Sequence, residues 1–398
     1  MEKQLRKLVD RIKPSFEKEG KFGYLHSTFD AFETFLFVPN TVTRRGCHIR
    51  DANDLKRTMF IVVIALIPAL LFGMYNVGYQ HFAAIGEFAR QSSWFGCWWY
   101  GFVRMLPLII VSYVVGLGIE FISAQYKHEE VNEGYLVTGL LIPMIMPIDI
   151  PLWILALAVA FSVIFGKEVF GGTGMNVFNP ALLARAFVFF AYTPVISGDH
   201  VWVRGFGKGG QYADGFSGAT PLGSIADSIA SGADSLDFGS TGPWDWFFGF
   251  LPGSVGEVST FCILIGAAIL LYTGVASWRT MVSVFAGGLI MGLIFNMIGG
   301  NPLMEMSPVY HLLLGGFAFG AVFMATDPVT SSQTNVGKII TGLLIGMLAI
   351  MLRVLNPGYP EGMMLAILFV NALSPLVDHY VVQANVSRRK KRIKSVKQ

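Results

Sequence analysis

Apolar residues in this chain fall into long runs, with neither the strict alternation of strands nor a heptad repeat. Residues 59–75 and 103–123 lie within the span of about 17–25 residues that carries a helix across a hydrocarbon layer roughly 30 Å thick. Two shorter runs, 134–148 and 151–165, meet at Pro147-Ile148-Asp149-Ile150-Pro151. With Pro143 inside it, the first of these predicts a broken or re-entrant helix, which lipid tolerates only where protein covers the freed carbonyls. Residues 177–192 form a fifth run. After a long polar stretch come 258–273, 281–298, 309–325, 339–354 and 363–382. The pattern predicts an all-α polytopic membrane protein of about ten transmembrane helices, some of them interrupted.

Composition agrees: 53% of the 398 residues are hydrophobic and only 14% are charged, against about 25% charged in a soluble domain. Disorder, a coiled coil and nucleic-acid binding are excluded on the same ground. Cys47, Cys97 and Cys262 lie far apart and predict neither a disulfide framework nor a metal cluster. Charge distribution sets orientation. Residues 1–57, the tail from Arg388, and Lys127, Lys167, Arg279 and Lys338 together hold 23 of the 29 Lys and Arg. Positive residues stay inside, so both termini are expected in the cytoplasm. The organisation that follows is a cytoplasmic segment at 1–57, a first transmembrane half at 58–193, an exported loop at 194–257, a second half at 258–382, and a basic tail at 383–398. The tail also suits anionic headgroups. Five helices per half require any duplication to be inverted. Met146-Pro-Ile-Asp149 against Met324-Ala-Thr-Asp327, and Asn179-Pro180 against Asn371-Ala372, are the traces of such a 5+5 repeat.

The exported loop has fourteen glycines, seven acidic residues and two basic ones. Within it, Asp214-Gly-Phe-Ser217-Gly218-Ala219-Thr220-Pro221 is an uncluttered strip that offers one secondary hydroxyl. It reads either as a modification site or as a polar turn ended by Pro221. Gly205-Phe-Gly207-Lys-Gly-Gly210 spells GxGxxG without the strand and helix a dinucleotide site requires.

Ionisable residues within spans are costly and hence candidates for function. Glu120, Asp327 and Asp378 are the acidic ones, and each could also snorkel to an interface. Phe319 and Phe323, four apart among small residues, share a helix face and could pack or form a hydrophobic constriction. Asn176 and Asn179 precede Pro180 at a helix start, where they could cap the helix or hydrogen-bond a polar ring.

These motifs, together with Gly166-Lys-Glu-Val-Phe-Gly-Gly-Thr-Gly174 and Ala325-Thr-Asp-Pro328, resemble the family of B subunits of the bacterial Na+-translocating NADH:quinone oxidoreductases over essentially the whole chain. The resemblance implies FMN esterified through its phosphate to Thr220 by a separate flavin transferase, with Asp214, Ser217, Gly218 and Ala219 around it. It implies non-covalent riboflavin at Asn176 and Asn179, sodium uptake through Glu120, Asp327 and Asp378, and a gate at Phe319 and Phe323. Ubiquinone is expected near Gly116 and Gly118, where the family carries adjacent glycines. The expected partners are the other membrane and peripheral subunits of the complex, one of which binds NADH. The aromatic run at residues 29–38, with Asp30 and Glu33, could border the quinone entrance or lie in the interface. Two alternatives stand beside this reading: the flavinylated subunit of an Rnf-type ferredoxin:NAD+ complex, against which the long charged N-terminus argues, and a channel or transporter without redox function.

Overall fold

A computed structural model describes residues 6, 9, 11–14, 29, 45–47, 55–86, 93–127, 134–197, 201–205, 218–231, 238, 241–356 and 362–396. Among these residues the regular elements are all helical. The principal ones are α1 (Leu55–Ile85), α2 (Trp94–Lys127), α3 (Tyr135–Ile145), α4 (Leu152–Gly166), α5 (Pro180–Ala191), α6 (Pro221–Ala230), α7 (Thr260–Tyr272), α8 (Trp278–Ile298), α9 (Pro308–Leu313), α10 (Asn335–Leu355) and α11 (Met363–Val396).

Six helices among the described residues are long and apolar enough to cross a membrane: α1, α2, α4 with the turn Glu168–Phe170 that continues it, α8, α10 and α11. The four other apolar runs become something else. Three are the short helices α3, α5 and α7. The fourth, 309–325, divides into α9, a break at Leu314–Gly316, one helical turn at Phe317–Phe319 and a π-helical segment at Gly320–Met324. Hydropathy sums apolar residues without regard to the prolines and glycines that stop a helix, so ten runs do not amount to ten full-length helices.

Other boundaries move outward. α1 continues well past residue 75 because its polar residues are satisfied inside the protein: the Asn76 side-chain amide donates to the Leu251 carbonyl at 2.8 Å. α11 runs on to Val396 instead of ending near 382. At 1.5 Å per residue its 34 residues extend about 51 Å, far beyond the hydrocarbon layer, and Arg388 to Arg392 are exposed.

Small residues bring the helices into close contact. A Cβ on Gly101 would overlap the Met74 carbonyl, and one on Gly78 would overlap Cys97, which locks α1 onto α2. Gly287, Gly342 and Gly346 do the same between α8 and α10. The start of α2 carries a ladder of rings, Phe95, Trp98, Trp99 and Phe102, with centroids 5.3–6.5 Å apart, the kind of aromatic cluster found at membrane–water interfaces. The broken helix α3 lies at the centre, with Tyr135, Ile142, Met144 and Ile145 fully buried. The Gly256 N–H donates to the Met144 carbonyl at 2.8 Å, so protein covers a carbonyl near the break.

Candidate functional site

Two cavities organise the candidate residues. The first opens at the start of α5. Asn179 is the N-cap: its Oδ1 accepts from the N–H groups of Ala181 (2.9 Å) and Leu182 (3.4 Å), satisfying donors a helix start leaves free. Its Nδ2 donates to Asp327 Oδ2 at 3.4 Å. Asp327 also accepts from Thr330 Oγ1 and the Val329 N–H, both at 3.1 Å. Asn176, buried nearby, donates to the Phe178 carbonyl at 3.1 Å. Asn176, Asn179, Asp327, Lys167, Thr173 and Phe323 line one cleft of about 100 Å³. The asparagines and Asp327, expected in separate roles, are therefore neighbours.

Glu120 has a partner inside the protein. It is buried on α2 and ion-paired with the Lys167 ammonium, the two side chains being 4% and 6% exposed. Next to this pair, Glu168 accepts from Lys127 at 2.9 Å and from the Ser123 hydroxyl. Asp378 lies elsewhere. Its carboxylate accepts from Ser332 Oγ (2.6 Å), Thr334 Oγ1 (2.5 Å) and the N–H groups of Gln333 (2.6 Å) and Thr334 (3.1 Å). That arrangement clamps the turn leading into α10, whose N-cap is Thr334.

Phe319 and Phe323 are both buried, with ring centroids 5.1 Å apart and planes inclined by 48°. They do not lie on a regular α-helical face. The Ala325 N–H reaches back to the Gly320 carbonyl at 2.8 Å, a π-type bond, and such single-turn bulges occur often at functional sites. Phe319 packs at Gly256, and Phe323 packs at Gly266 while also walling the cleft.

The second cavity, about 40 Å³, is lined by Thr220, Trp202, Ser254, Glu257, Gly315 and Gly316, among others. Thr220 is the N-cap of the ten-residue helix α6, and its Oγ1 accepts from the Gly223 N–H at 3.1 Å. Gly218 is buried, Ala219 and Thr220 are half-buried, and Asp214 and Ser217 lie outside the described residues. Glu257 is held by Arg185 at 2.7 Å and by the Ser254 hydroxyl at 2.5 Å. Gly315 and Gly316, at φ +65° and +66°, take the left-handed conformation that glycine alone adopts freely. Space requires them as well: a Cβ on Gly316 would strike the Glu257 carboxylate, and one on Gly315 would strike Leu222. Arg353, fully buried, donates from Nη1 to the His311 carbonyl (2.5 Å) and from Nη2 to the Leu314 carbonyl (2.9 Å), covering the oxygens freed where α9 stops.

On α2, Gly116 faces the Tyr135 ring so closely that a Cβ would overlap it, whereas Gly118 has open space around it. Gly116 thus serves the contact between α2 and α3, and Gly118 is the accessible one of the pair.

Four residues central to these sites were not singled out from the sequence: Lys167, Arg185, Glu257 and Arg353. Two carried a readable signal, since Arg185 and Arg353 are cations within apolar runs and such residues are costly unless partnered. Lys167 and Glu257 sit at run ends, where charge is unremarkable. The Thr220 hydroxyl, at a helix N-terminus with N–H groups and a favourable dipole, suits an esterified phosphate. The cleft of Asn176 and Asn179 combines apolar walls with a few polar groups, as sites for uncharged ring systems do.

Known proteins are similar to this chain over nearly its whole length. The chain is 45% identical to the B subunit of the Na(+)-translocating NADH-quinone reductase of Chromohalobacter salexigens, covering 98% of this chain and 96% of that protein. It is 45% identical to the protein of the same name from Pseudomonas paraeruginosa, over 97% and 98% of the two chains. With that of Azotobacter vinelandii it shares 43%, again over 97% and 98%. The pattern of the NQR2, RnfD, RnfE family matches residues 42–387, the region that holds both cavities and the broken helices, and the chain belongs to that family.

Proposed function

We propose that this chain is the flavin-bearing membrane subunit of a Na+-translocating NADH:quinone reductase, equivalent to its full-length relatives. Thr220 is the acceptor for FMN, attached through its phosphate by a flavin transferase. Asn176 and Asn179 hold riboflavin. The two flavins, when bound, supply reversible electron storage between an NADH-oxidising partner and ubiquinone. Everything else is done by backbone and side-chain groups of this chain. The first N–H groups of α6 hold the ester phosphate, the asparagine amides orient an uncharged ring, and Glu120, Asp327 and Asp378 offer hard oxygen ligands to sodium. Phe319 and Phe323, the latter a wall of the first cavity, exclude water and so restrict ion passage. Ubiquinone approaches α2 on the open side of Gly118. The arrangement in the bacterial inner membrane is an inverted 5+5 repeat with both termini cytoplasmic, in which short and broken helices supply the remaining crossings.

The observation that carries the reading is Thr220 of Ser217-Gly-Ala-Thr220: it lines a cavity, and its hydroxyl caps a helix whose N-terminus suits a phosphate. Full-length relatives that bear the name of the sodium-translocating reductase favour this reading over the Rnf-type alternative. The direct test is mass spectrometry of the Thr220 peptide from protein made together with the flavin transferase. The expected peptide carries the mass of FMN less water. An unmodified peptide from turning-over complex would overturn the proposal.

Two further outcomes are expected. The Asn176→Ala, Asn179→Ala double variant loses extractable riboflavin while keeping covalent FMN; unchanged stoichiometry would leave the pair as a helix cap and nothing more. Asp327→Ala and Asp378→Ala both weaken sodium activation of turnover. Because the Asp378 carboxylate clamps a turn, its variant also lowers the thermal midpoint. Sodium curves that match wild type in both variants would remove the two residues from the ion path.

A further inference from the structure

Lys167 joins two sites that the proposed function treats separately. Its ammonium is paired with Glu120, an expected sodium ligand. The same residue lines the cleft of Asn176, Asn179 and Asp327. Its backbone is fixed. Lys167 closes α4, with its N–H bonded to the Val163 carbonyl at 3.2 Å and its carbonyl accepting from Gly172 at 3.0 Å. The adjacent Glu168 is tied to Lys127 and Ser123. What remains movable is a four-carbon stem carrying a compact point charge, which can change partners without moving the main chain.

A sodium ion cannot take Glu120 while the ammonium occupies it. In a buried site two cations on one carboxylate repel strongly, and an ammonium without a partner is costly. Displaced from Glu120, Lys167 finds its next polar surroundings in the cleft it already lines, beside Asp327 and the asparagine amides.

We propose that Lys167 is a built-in competitor for sodium: it occupies Glu120 when sodium is absent and turns into the Asn176–Asn179–Asp327 cleft when sodium binds. Charge balances at each step. One sodium ion enters at Glu120, one ammonium moves to the cleft, and that ammonium neutralises one electron delivered to the cleft by the NADH-driven reaction. Sodium at Glu120 therefore makes the cleft a better electron acceptor. By reciprocity, reduction in the cleft tightens sodium binding. The inference rests on the proposal that a flavin occupies this cleft, and it names the side chain that links the flavin to the ion path.

The test uses the assembled complex. The midpoint potential of the non-covalent flavin is titrated in sodium and in choline, and the sodium concentration giving half-maximal turnover is measured beside it. In wild type the potential is expected to rise with sodium. In Lys167→Met the sodium-dependent shift disappears and the half-saturating sodium concentration falls severalfold, since the competing charge is gone. Lys167→Arg retains a competing cation and keeps a sodium requirement at least as high as wild type. A Lys167→Met complex with the wild-type shift and the wild-type sodium requirement would overturn the proposal. Should the unpaired Glu120 prevent assembly, the Glu120→Gln, Lys167→Met double variant removes both charges, and a wild-type sodium shift there overturns it equally. Extracted riboflavin is quantified in every sample. Its absence from active wild type would sink the flavin assignment, while sodium binding to the Lys167 variants would still decide whether the ammonium competes.

Discussion

Thr220→Ala is expected to abolish the covalent flavin fluorescence of this chain on a denaturing gel and to stop NADH-driven quinone reduction, while the complex still assembles. The hydroxyl has two roles, and they separate. As N-cap of α6 it accepts from Gly223, and losing a Thr cap costs about 1 kcal/mol. As the proposed ester acceptor it is irreplaceable. Thr220→Asn restores a good N-cap but has no hydroxyl to esterify. It should recover the thermal midpoint of wild type and remain devoid of covalent flavin. Fluorescence persisting in Thr220→Ala, or turnover near wild type in Thr220→Asn, would refute the role assigned to this residue.

The largest structural effect is expected at Arg353. This fully buried guanidinium supplies donors to two carbonyls where α9 ends, three to six residues before Phe317. Arg353→Met strands those oxygens. Each unsatisfied buried polar group costs roughly 1–3 kcal/mol, so the pair is worth about 3 kcal/mol or more. The variant should show a clear fall in the thermal midpoint of the purified complex and poor assembly. Arg353→Lys is expected to lie between, because an ammonium lacks the planar fork that serves two acceptors together. A midpoint unchanged in Arg353→Met would mean the break is held by other contacts. Because the same break sets where Phe319 and Phe323 begin, surviving Arg353→Lys complex should also leak sodium down its gradient without turnover, measurable as passive uptake into vesicles.

The two arginines illustrate how far single residues can be read. Arg353 and Arg185 stand out in apolar runs, and the cost of a buried charge says that each must have a partner. The partners are 39 to 72 residues away along the chain, the His311 and Leu314 carbonyls for one and Glu257 for the other, and no local pattern names them. Asn179 is similar. Its place before Pro180 announces a helix cap, and the cap is present; its amide reaching Asp327, 148 residues on, is a product of packing. Phe319 and Phe323 were legible as neighbours by spacing, but neither the π turn between them nor their packing at Gly256 and Gly266 was.

By itself, then, the sequence determined the apolar runs, the uneven distribution of its cations along the chain, the breaks at proline and glycine, and the small-residue strip around Thr220. All of these follow from transfer free energies and backbone sterics that act over a few residues. Only the tertiary structure decided that runs 177–192 and 258–273 yield short helices, that Glu120 meets Lys167, and that Asn176, Asn179 and Asp327 share one cleft. Those outcomes depend on which distant groups satisfy a buried charge or a freed carbonyl, and in a low-dielectric interior that choice is made by the whole packed bundle.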